Sequence, residues 1–216
     1  VKFGVIGLGN FGSTVAKALF EAGHDVVVLD RDRDRVQAMQ RYATQAVIAD
    51  ATQKEILEEL ALDKMDAVIV SLGKDLSASV LVTLYLRDLK VKKIVVKIAS
   101  EDHGRVLDRV GATEIVFPEK DMALRLAQSL ISPNILDYLP LSPEYSLLEL
   151  APPKEFIGKS LAELRLRSRF GVNVLAVRQI IPERMIINPS ADFVIKDSDV
   201  LVVLGKREDL DKIGGP

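Results

Sequence analysis

Short apolar runs alternate with amphipathic stretches along the first half of the chain. The runs are Lys2–Ile6, Asp25–Leu29, Ala46–Ala49, Ala67–Val70, Ile94–Lys97 and Glu114–Phe117. They are rich in Val and Ile and apolar at consecutive positions, so both faces of each strand need cover, as in a parallel sheet. Between them, apolar residues recur at helical spacing over Phe11–Ala22, Asp34–Tyr42, Lys54–Leu60, Leu76–Leu89 and Glu101–Val110. Gly23 and Gly111 stand where two of these helices would end, at the position that favours a left-handed residue. Six strands alternating with helices predict an α/β fold, a Rossmann-like doubly wound parallel sheet over residues 1–117.

From Pro118 the beat changes. Glu119–Ser132 predicts a crossover helix with Met122, Leu126 and Leu130 on one stripe and Arg125 and Gln128 off it. Pro133, Pro140 and Pro143 punctuate a connector, so residues 118–141 read as a dimerisation helix and link. Residues 142–216 contain one short helical stretch, Leu161–Leu166, and strands at Tyr145–Leu150, Asn173–Arg178, Arg184–Ile187, Phe193–Ile195 and Val200–Leu204. This is a small α+β domain, of a size at which a lone core is marginal. It is expected to gain stability by pairing with a second copy.

Composition narrows the chemistry. The 216 residues include no Cys, which excludes a disulfide framework, thiolate metal sites and thiol catalysis. Lys plus Arg is 29 against 31 for Asp plus Glu, a net charge of −2, which excludes a nucleic-acid binder that works by bulk positive charge. With His24 and His103 alone, a multi-His metal site within one chain is not expected. Both read as structural or solvated. A 48% hydrophobic content argues against disorder. No run approaches the ~18 apolar residues of a membrane span. The start, Val1-Lys2-Phe3-Gly4-Val5-Ile6, lacks the features of a secretory signal, so a cytoplasmic location is expected.

The first strand runs into Gly7-Leu8-Gly9-Asn10-Phe11-Gly12, a G-x-G-x-x-G that opens a helix within a βαβ unit. Gly7 would make the turn, Gly9 would admit a pyrophosphate and Gly12 would let the helix pack on the strand. The free N–H groups and dipole of the helix start, near Asn10 and Phe11, would attract phosphates. The bland alternative is a tight strand–helix turn and nothing more. Asp30, 18 residues after Gly12, would accept hydrogen bonds from a ribose diol, or else cap the next helix. It disfavours a 2′-phosphate, whereas Arg31 would tolerate one. Polar groups also end the other strands: Asp50-Ala51-Thr52, Ser71-Leu72-Gly73, Lys97 and Glu119. Ligands of open parallel sheets bind there. Asp50 would flank an adenine or cap the helix at Lys54. Lys97 would meet phosphate, and Glu119 would hold a divalent cation such as Mg²⁺ between phosphates; each would otherwise be an ordinary surface ion-pair member.

Several enzyme signatures are missing: no Tyr-x-x-x-Lys placed for a short-chain dehydrogenase, no Ser/His/Asp order, no Glu-x-x-His spacing. A nucleotide sensor is therefore expected over a catalyst. A small NAD(P)-dependent oxidoreductase stands as the alternative. A DNA-associated redox sensor would need a winged-helix segment, and residues 142–216 are too β-rich for one.

The whole chain resembles the cytosolic gating subunits of bacterial potassium uptake systems of the Trk/Ktr type. The match is carried by Gly7–Gly12, Asp30 with Arg35-Val36, Ala49-Asp50-Ala51-Thr52, and most distinctively by Pro118-Glu119-Lys120-Asp121-Met122 followed by Leu126-Ala127. Ile98 and Val110-Gly111-Ala112 fit less specifically. Leu136–Tyr138 and Glu144-Tyr145-Ser146 resemble the connector of that family, and Gly158-Lys159-Ser160-Leu161 and Gly171-Val172-Asn173-Val174-Leu175-Ala176 its C-terminal domain. The resemblance implies a regulator-of-conductance domain that dimerises partly through the helix near Glu119. It implies an octameric ring beneath a membrane-embedded potassium channel or transporter, attached peripherally to the inner face of the cell membrane. ATP, ADP or NAD(H) in the glycine-loop site would change ring geometry, with Gly7, Gly9 and Gly12 on phosphates, Asp30 on ribose and Asp50 near adenine. Glu119 would hold a divalent cation between subunits. Nucleic acid is not an implied partner. Some relatives bind cyclic di-AMP between C-terminal domains, near the positions of Arg169, Asn173 and Pro189. One departure stands out: ATP-sensing members carry Arg in the slot of Asn10, and Asn10 cannot supply that charge.

Overall fold

The computed structural model describes residues 1–73, 75–131 and 134–214. Ser132, the expected end of the crossover helix, and Pro133 of the connector lie outside the described residues. The first eleven elements are β1 (Lys2–Ile6), α1 (Asn10–Glu21), β2 (Asp25–Asp30), α2 (Arg33–Met39), β3 (Gln45–Ile48), α3 (Lys54–Glu59), β4 (Ala67–Val70), α4 (Leu76–Asp88), β5 (Ile94–Lys97), α5 (Glu101–Val110) and β6 (Glu114–Val116). Their strands form one parallel sheet in the order β3-β2-β1-β4-β5-β6. β1 pairs with β2 on one side and β4 on the other, Val5 opposite Val28 and Ile69. The strand order therefore reverses at β1, the position where doubly wound sheets open a crevice.

The expected six-stranded doubly wound sheet is what the chain forms, and its core shows why. Val5, Val26, Val28 and Ile69 are buried on one face with Ala16 of α1 and Val36 of α2. Ile6, Leu29, Val68 and Val70 are buried on the other with Leu86 of α4 and Leu107 of α5. Consecutive apolar residues thus serve opposite faces, each buried Val, Ile or Leu contributing roughly 1.5–3 kcal/mol. Gly111 ends α5 at φ 135°, and Gly23 follows α1 at φ 83°.

Next come α6 (Pro118–Ile131), β7 (Ile135–Pro140), β8 (Tyr145–Leu150), α7 (Leu161–Leu164), α8 (Leu166–Phe170), β9 (Asn173–Gln179), β10 (Arg184–Ile187), β11 (Asp199–Lys206) and α9 (Arg207–Gly214). The strands make a second sheet, β10-β9-β11-β8-β7, and every pair in it is antiparallel. Its core contains Leu148, Leu150, Phe156, Val177, Leu201 and Val203. The chain divides into two compact units, Val1–Glu119 and the residues from Lys120 onward.

Several features of the second unit depart from the sequence reading, the unforeseen α9 among them. Phe193–Ile195 is not a strand: Ser160 and Val194 form an isolated bridge, and the Ile195 N–H donates to Lys159 O. Ile195 is buried and Phe193 packs on the same core, so two anchoring side chains account for the apolar signal. The expected helix Leu161–Leu166 is broken at Arg165, which is left-handed at φ 47°. β7 lies in the stretch read as connector. A register shift between Ile135 and Asp137 separates the two buried residues Ile135 and Tyr138 by three positions, hiding the strand period of two. As an edge strand, β7 also tolerates Pro140.

Leu148 is buried at the centre of the second core. Leu148→Ala should destabilise that unit by about 2–5 kcal/mol and leave the first unit folded as before. Denaturant unfolding, followed by hydrogen exchange at residues of each unit, checks this.

Candidate functional site

The glycine loop sits at the carboxyl end of β1, at the reversal of strand order. Two of its glycines are required by the fold. Gly7 has φ 89°, and a Cβ there would lie 2.2 Å from Ser71 O. A Cβ on Gly12 would lie 2.0 Å from Gly7 O, forcing α1 away from β1. Gly9 differs: a Cβ there would meet nothing within 4 Å. Gly9 is the N-cap of α1, supplies no side-chain cap, and no acid occupies the first turn. The first N–H groups of α1 and its positive dipole end thus face an open space that suits an anion. The bland turn reading explains Gly7 and Gly12 but gives Gly9 no task.

Asp30 closes the loop from the side. It is 9% exposed. Its Oδ2 accepts the Leu8 N–H at 2.6 Å and its Oδ1 the Asp32 N–H at 2.9 Å. Arg35 lies 3.8 Å away. The cap of α2 is Asp32, which accepts the N–H groups of Asp34 and Arg35. Asp30 is therefore a buttress of the loop, and its carboxylate retains lone pairs toward the crevice. Its hold on Leu8 was not foreseen from sequence.

The neighbouring strand ends supply further groups. Asp50 accepts both the N–H and the hydroxyl of Thr52, at 2.9 and 2.8 Å. Those bonds, with a smaller contribution from the Arg31 charge, hold its carboxyl below the usual range. The N-cap of α3 is Gln53 and not Asp50; Asp50 instead shapes its own turn, with Ala51 buried beside it. Ser71 is buried, its N–H donating to Ile6 O. Leu72 packs on the core and Gly73 takes φ 69°. Asn10 is exposed at the start of α1, and Phe11 is half-buried against the core. Arg31 is exposed.

The chain as a whole is similar to known proteins. The TrkA-N domain model matches residues 3–118 and the TrkA-C domain model residues 146–214. The Ktr system potassium uptake protein C of Bacillus subtilis is 41% identical over 98% of this chain and 95% of its own. The chain belongs to the TrkA-N/TrkA-C family. The Ktr system potassium uptake protein A of the same organism is 38% identical, over 97% of this chain and 93% of its own. Among solved structures, a GsuK channel bound to NAD aligns with all of this chain at a TM-score of 0.68 and 20% identity. The chain spans 39% of that one, and the likeness is one of fold.

In the TrkA-N part, Lys97 and Glu119 meet. The Lys97 ammonium donates to Glu119 Oε1 at 2.5 Å, with the Lys97 side chain 14% exposed and that of Glu119 61%. This bond pulls the Glu119 carboxyl below its ordinary range. The surface-pair reading describes these two residues as they stand. No group of three His, Cys, Asp or Glu able to hold a metal occurs among the described residues. His103 is buried, and burial pushes its imidazole down toward the neutral form. His24 packs its ring on Phe3 at 5.3 Å. Both are structural.

The TrkA-C part has a cavity of about 610 Å³ lined by Leu161, Arg165, Arg167, Ser168, Val172 and Asn173, among others. Of the three positions singled out there, Asn173 lines it. Arg169 stacks over Phe170 at 5.0 Å instead, and Pro189 is not part of the lining. Arg165, Arg167 and Ser168 were missed, although Arg at every second position from 165 to 169 was a visible signal.

The Glu119 carboxyl is depressed by its bond to Lys97, so the pair is complete above the ordinary glutamate value and dissolves as pH falls through the lowered one. Lys97→Gln should therefore raise the Glu119 titration. Residue-resolved carboxyl NMR reads the change, and an unmoved Glu119 would mean that the pair does not form in solution.

Proposed function

We propose that this chain is a nucleotide-binding regulatory subunit of a bacterial potassium uptake system, gating a membrane-embedded transporter or channel subunit from its cytoplasmic face. The observation that carries this reading is the near full-length identity with two Ktr potassium uptake proteins, which takes in both domains. An oxidoreductase reading rested on the Rossmann half alone and loses its ground once the second domain matches as well.

On this reading the nucleotide is NAD(H), ATP or ADP. Its phosphates lie over Gly7, Gly9, Asn10, Phe11 and Gly12, its ribose meets Asp30 and Arg31, and its base lies by Asp50, Ala51 and Thr52. Ser71, Leu72, Gly73 and Lys97 border the phosphate side. A solved GsuK channel bound to NAD supports the dinucleotide option. Asn10 carries no charge, so terminal-phosphate discrimination does not come from that position. Glu119 is one carboxylate, and Mg²⁺ is commonly held by one or two carboxylates plus phosphates. A divalent cation there would add positive charge between phosphates once Lys97 is released from Glu119.

The exposed residues of α6 support self-association: Met122 is 60% exposed, Leu126 58% and Leu130 74%. An apolar stripe of that kind calls for a partner surface. We assign it to a dimer of this chain, with dimers assembled into an octameric ring attached peripherally to the membrane through the pore subunit. Nucleotide binding would shift the ring between states by its difference in affinity for them. Cyclic di-AMP held between two C-terminal domains would meet Asn173 beside Arg165 and Arg167, whose guanidiniums suit phosphates.

The cleanest test uses Gly9. Gly9→Ala has room for its methyl group, so the variant should fold as wild type, yet the methyl would stand where a pyrophosphate approaches. Calorimetric titration with ADP and with NADH should show affinity lower by about tenfold or more, roughly 1.4 kcal/mol, with the bound NADH left unoxidised. Wild-type affinity in Gly9→Ala would overturn the phosphate assignment. Asp30→Ala is a less specific probe, because it also removes the acceptor of the Leu8 N–H.

A further inference from the structure

The apolar residues of α6 point outward, so burial of that stripe does not fix the helix on its own domain. A polar contact ties the helix there. Arg125 Nε donates to Tyr138 O at 3.1 Å, and its NH2 reaches both carboxylate oxygens of Asp137, at 3.2 and 3.3 Å. Asp137 Oδ1 also accepts the Tyr138 N–H at 2.8 Å, which orients the carboxylate. The bulge at Leu136 lies beside these two residues, and edge bulges re-aim side chains in this way.

The contact continues inward. Tyr138 is 8% exposed. Its hydroxyl is hydrogen-bonded to the Ser146 hydroxyl at 2.9 Å and accepts from Arg207 Nη2 at 2.6 Å. The Arg207 guanidinium lies 5.6 Å from the ring centroid, and the Arg207 N–H donates to Glu144 O. A chain of polar contacts therefore runs from α6 through β7 to β8 and the start of α9.

We propose that Arg125 is a latch that fastens α6 to the edge strand of the C-terminal sheet and sets the angle at which α6 presents its apolar stripe. Helix and C-terminal domain then move as one body, and any change in how α6 pairs is delivered to that domain through β7. The two ends of the chain differ in kind. The Tyr138 end is buried, so its bonds act in a low dielectric and are costly to leave unmade. The Arg125 and Asp137 side chains are 37% and 53% exposed, and exposed ion pairs are weak. The latch is therefore firm at the sheet and releasable at the helix. The inference goes beyond the regulatory reading and does not depend on which nucleotide binds.

The chain has no Cys, so pairs of engineered cysteines report cleanly. Spin labels at Ala127→Cys on α6 and Glu155→Cys on the C-terminal domain, in full-length chain diluted into an excess of unlabelled chain, read the intrachain distance by pulsed electron resonance. A reference pair, Glu155→Cys with Asp192→Cys, reads the C-terminal domain by itself. The expected result is one narrow α6 distance in the otherwise unaltered chain. In Arg125→Gln and in Asp137→Asn it should broaden or split while the reference distance stays unchanged. Arg125→Lys, which keeps the charge but not the planar fork, should fall between. An α6 distance as narrow in Arg125→Gln and Asp137→Asn as before would overturn the latch. So would loss of the reference distance in both variants, since Arg125 would then be a general support of the domain.

Discussion

The carboxylate of Asp30 ties together the loop after β1 and the turn before α2. One oxygen accepts from Leu8 in the β1–α1 loop, the other from Asp32 ahead of α2. A carboxylate this buried is costly unless hydrogen-bonded, and charge-assisted bonds to backbone N–H groups offset that cost. With Leu8 held, Gly7 is pressed against the carbonyl of Ser71 and Gly12 against that of Gly7. The loop is left little conformational freedom. A ligand meeting it has less ordering to do, which is the physical content of preorganisation.

That arrangement was legible in outline because its causes are local in sequence. Consecutive apolar residues announced strands buried on both faces, and the glycine spacing announced a loop that opens a helix. That spacing also divided the labour among the three glycines. Gly7 and Gly12 answer to it through contacts to Ser71 and to each other, whereas Gly9 is singled out by the absence of any neighbour. The sequence did not assign the cap of α2. Asp30 and Asp32 are two positions apart and chemically equal, and it took the direction of the chain after β2 to place one under the loop and the other on the helix.

The second domain was less legible, for different reasons. A bulge shifts β7 out of its period, so Ile135 and Tyr138 read as helical or irregular spacing. α9 buries Leu210 and Ile213, three positions apart among charged residues, a helical spacing that the sequence reading passed over. The Ser160–Glu163 capping box was in plain view as Ser-Leu-Ala-Glu, yet it opens a helix that Arg165 interrupts one turn later. For β7 and α7 a backbone irregularity, invisible to a periodicity argument, decided the outcome.

The contrast between these regions bears on how a regulator can work. A ligand moves an equilibrium only by its difference in affinity for two states, so the moving parts must lie within a few kcal/mol of one another. The buttressed loop is poorly suited to move, since releasing Leu8 would leave a buried carboxylate short of a donor. The contacts along α6 are of the other kind. Glu119 and Arg125 each hold a charged partner near the surface, where solvent screens the pair and rearrangement costs little. Buried charge-assisted bonds thus keep the glycine loop constant, whereas the exposed ion pairs of α6 hold the helix in place yet can be remade at little cost.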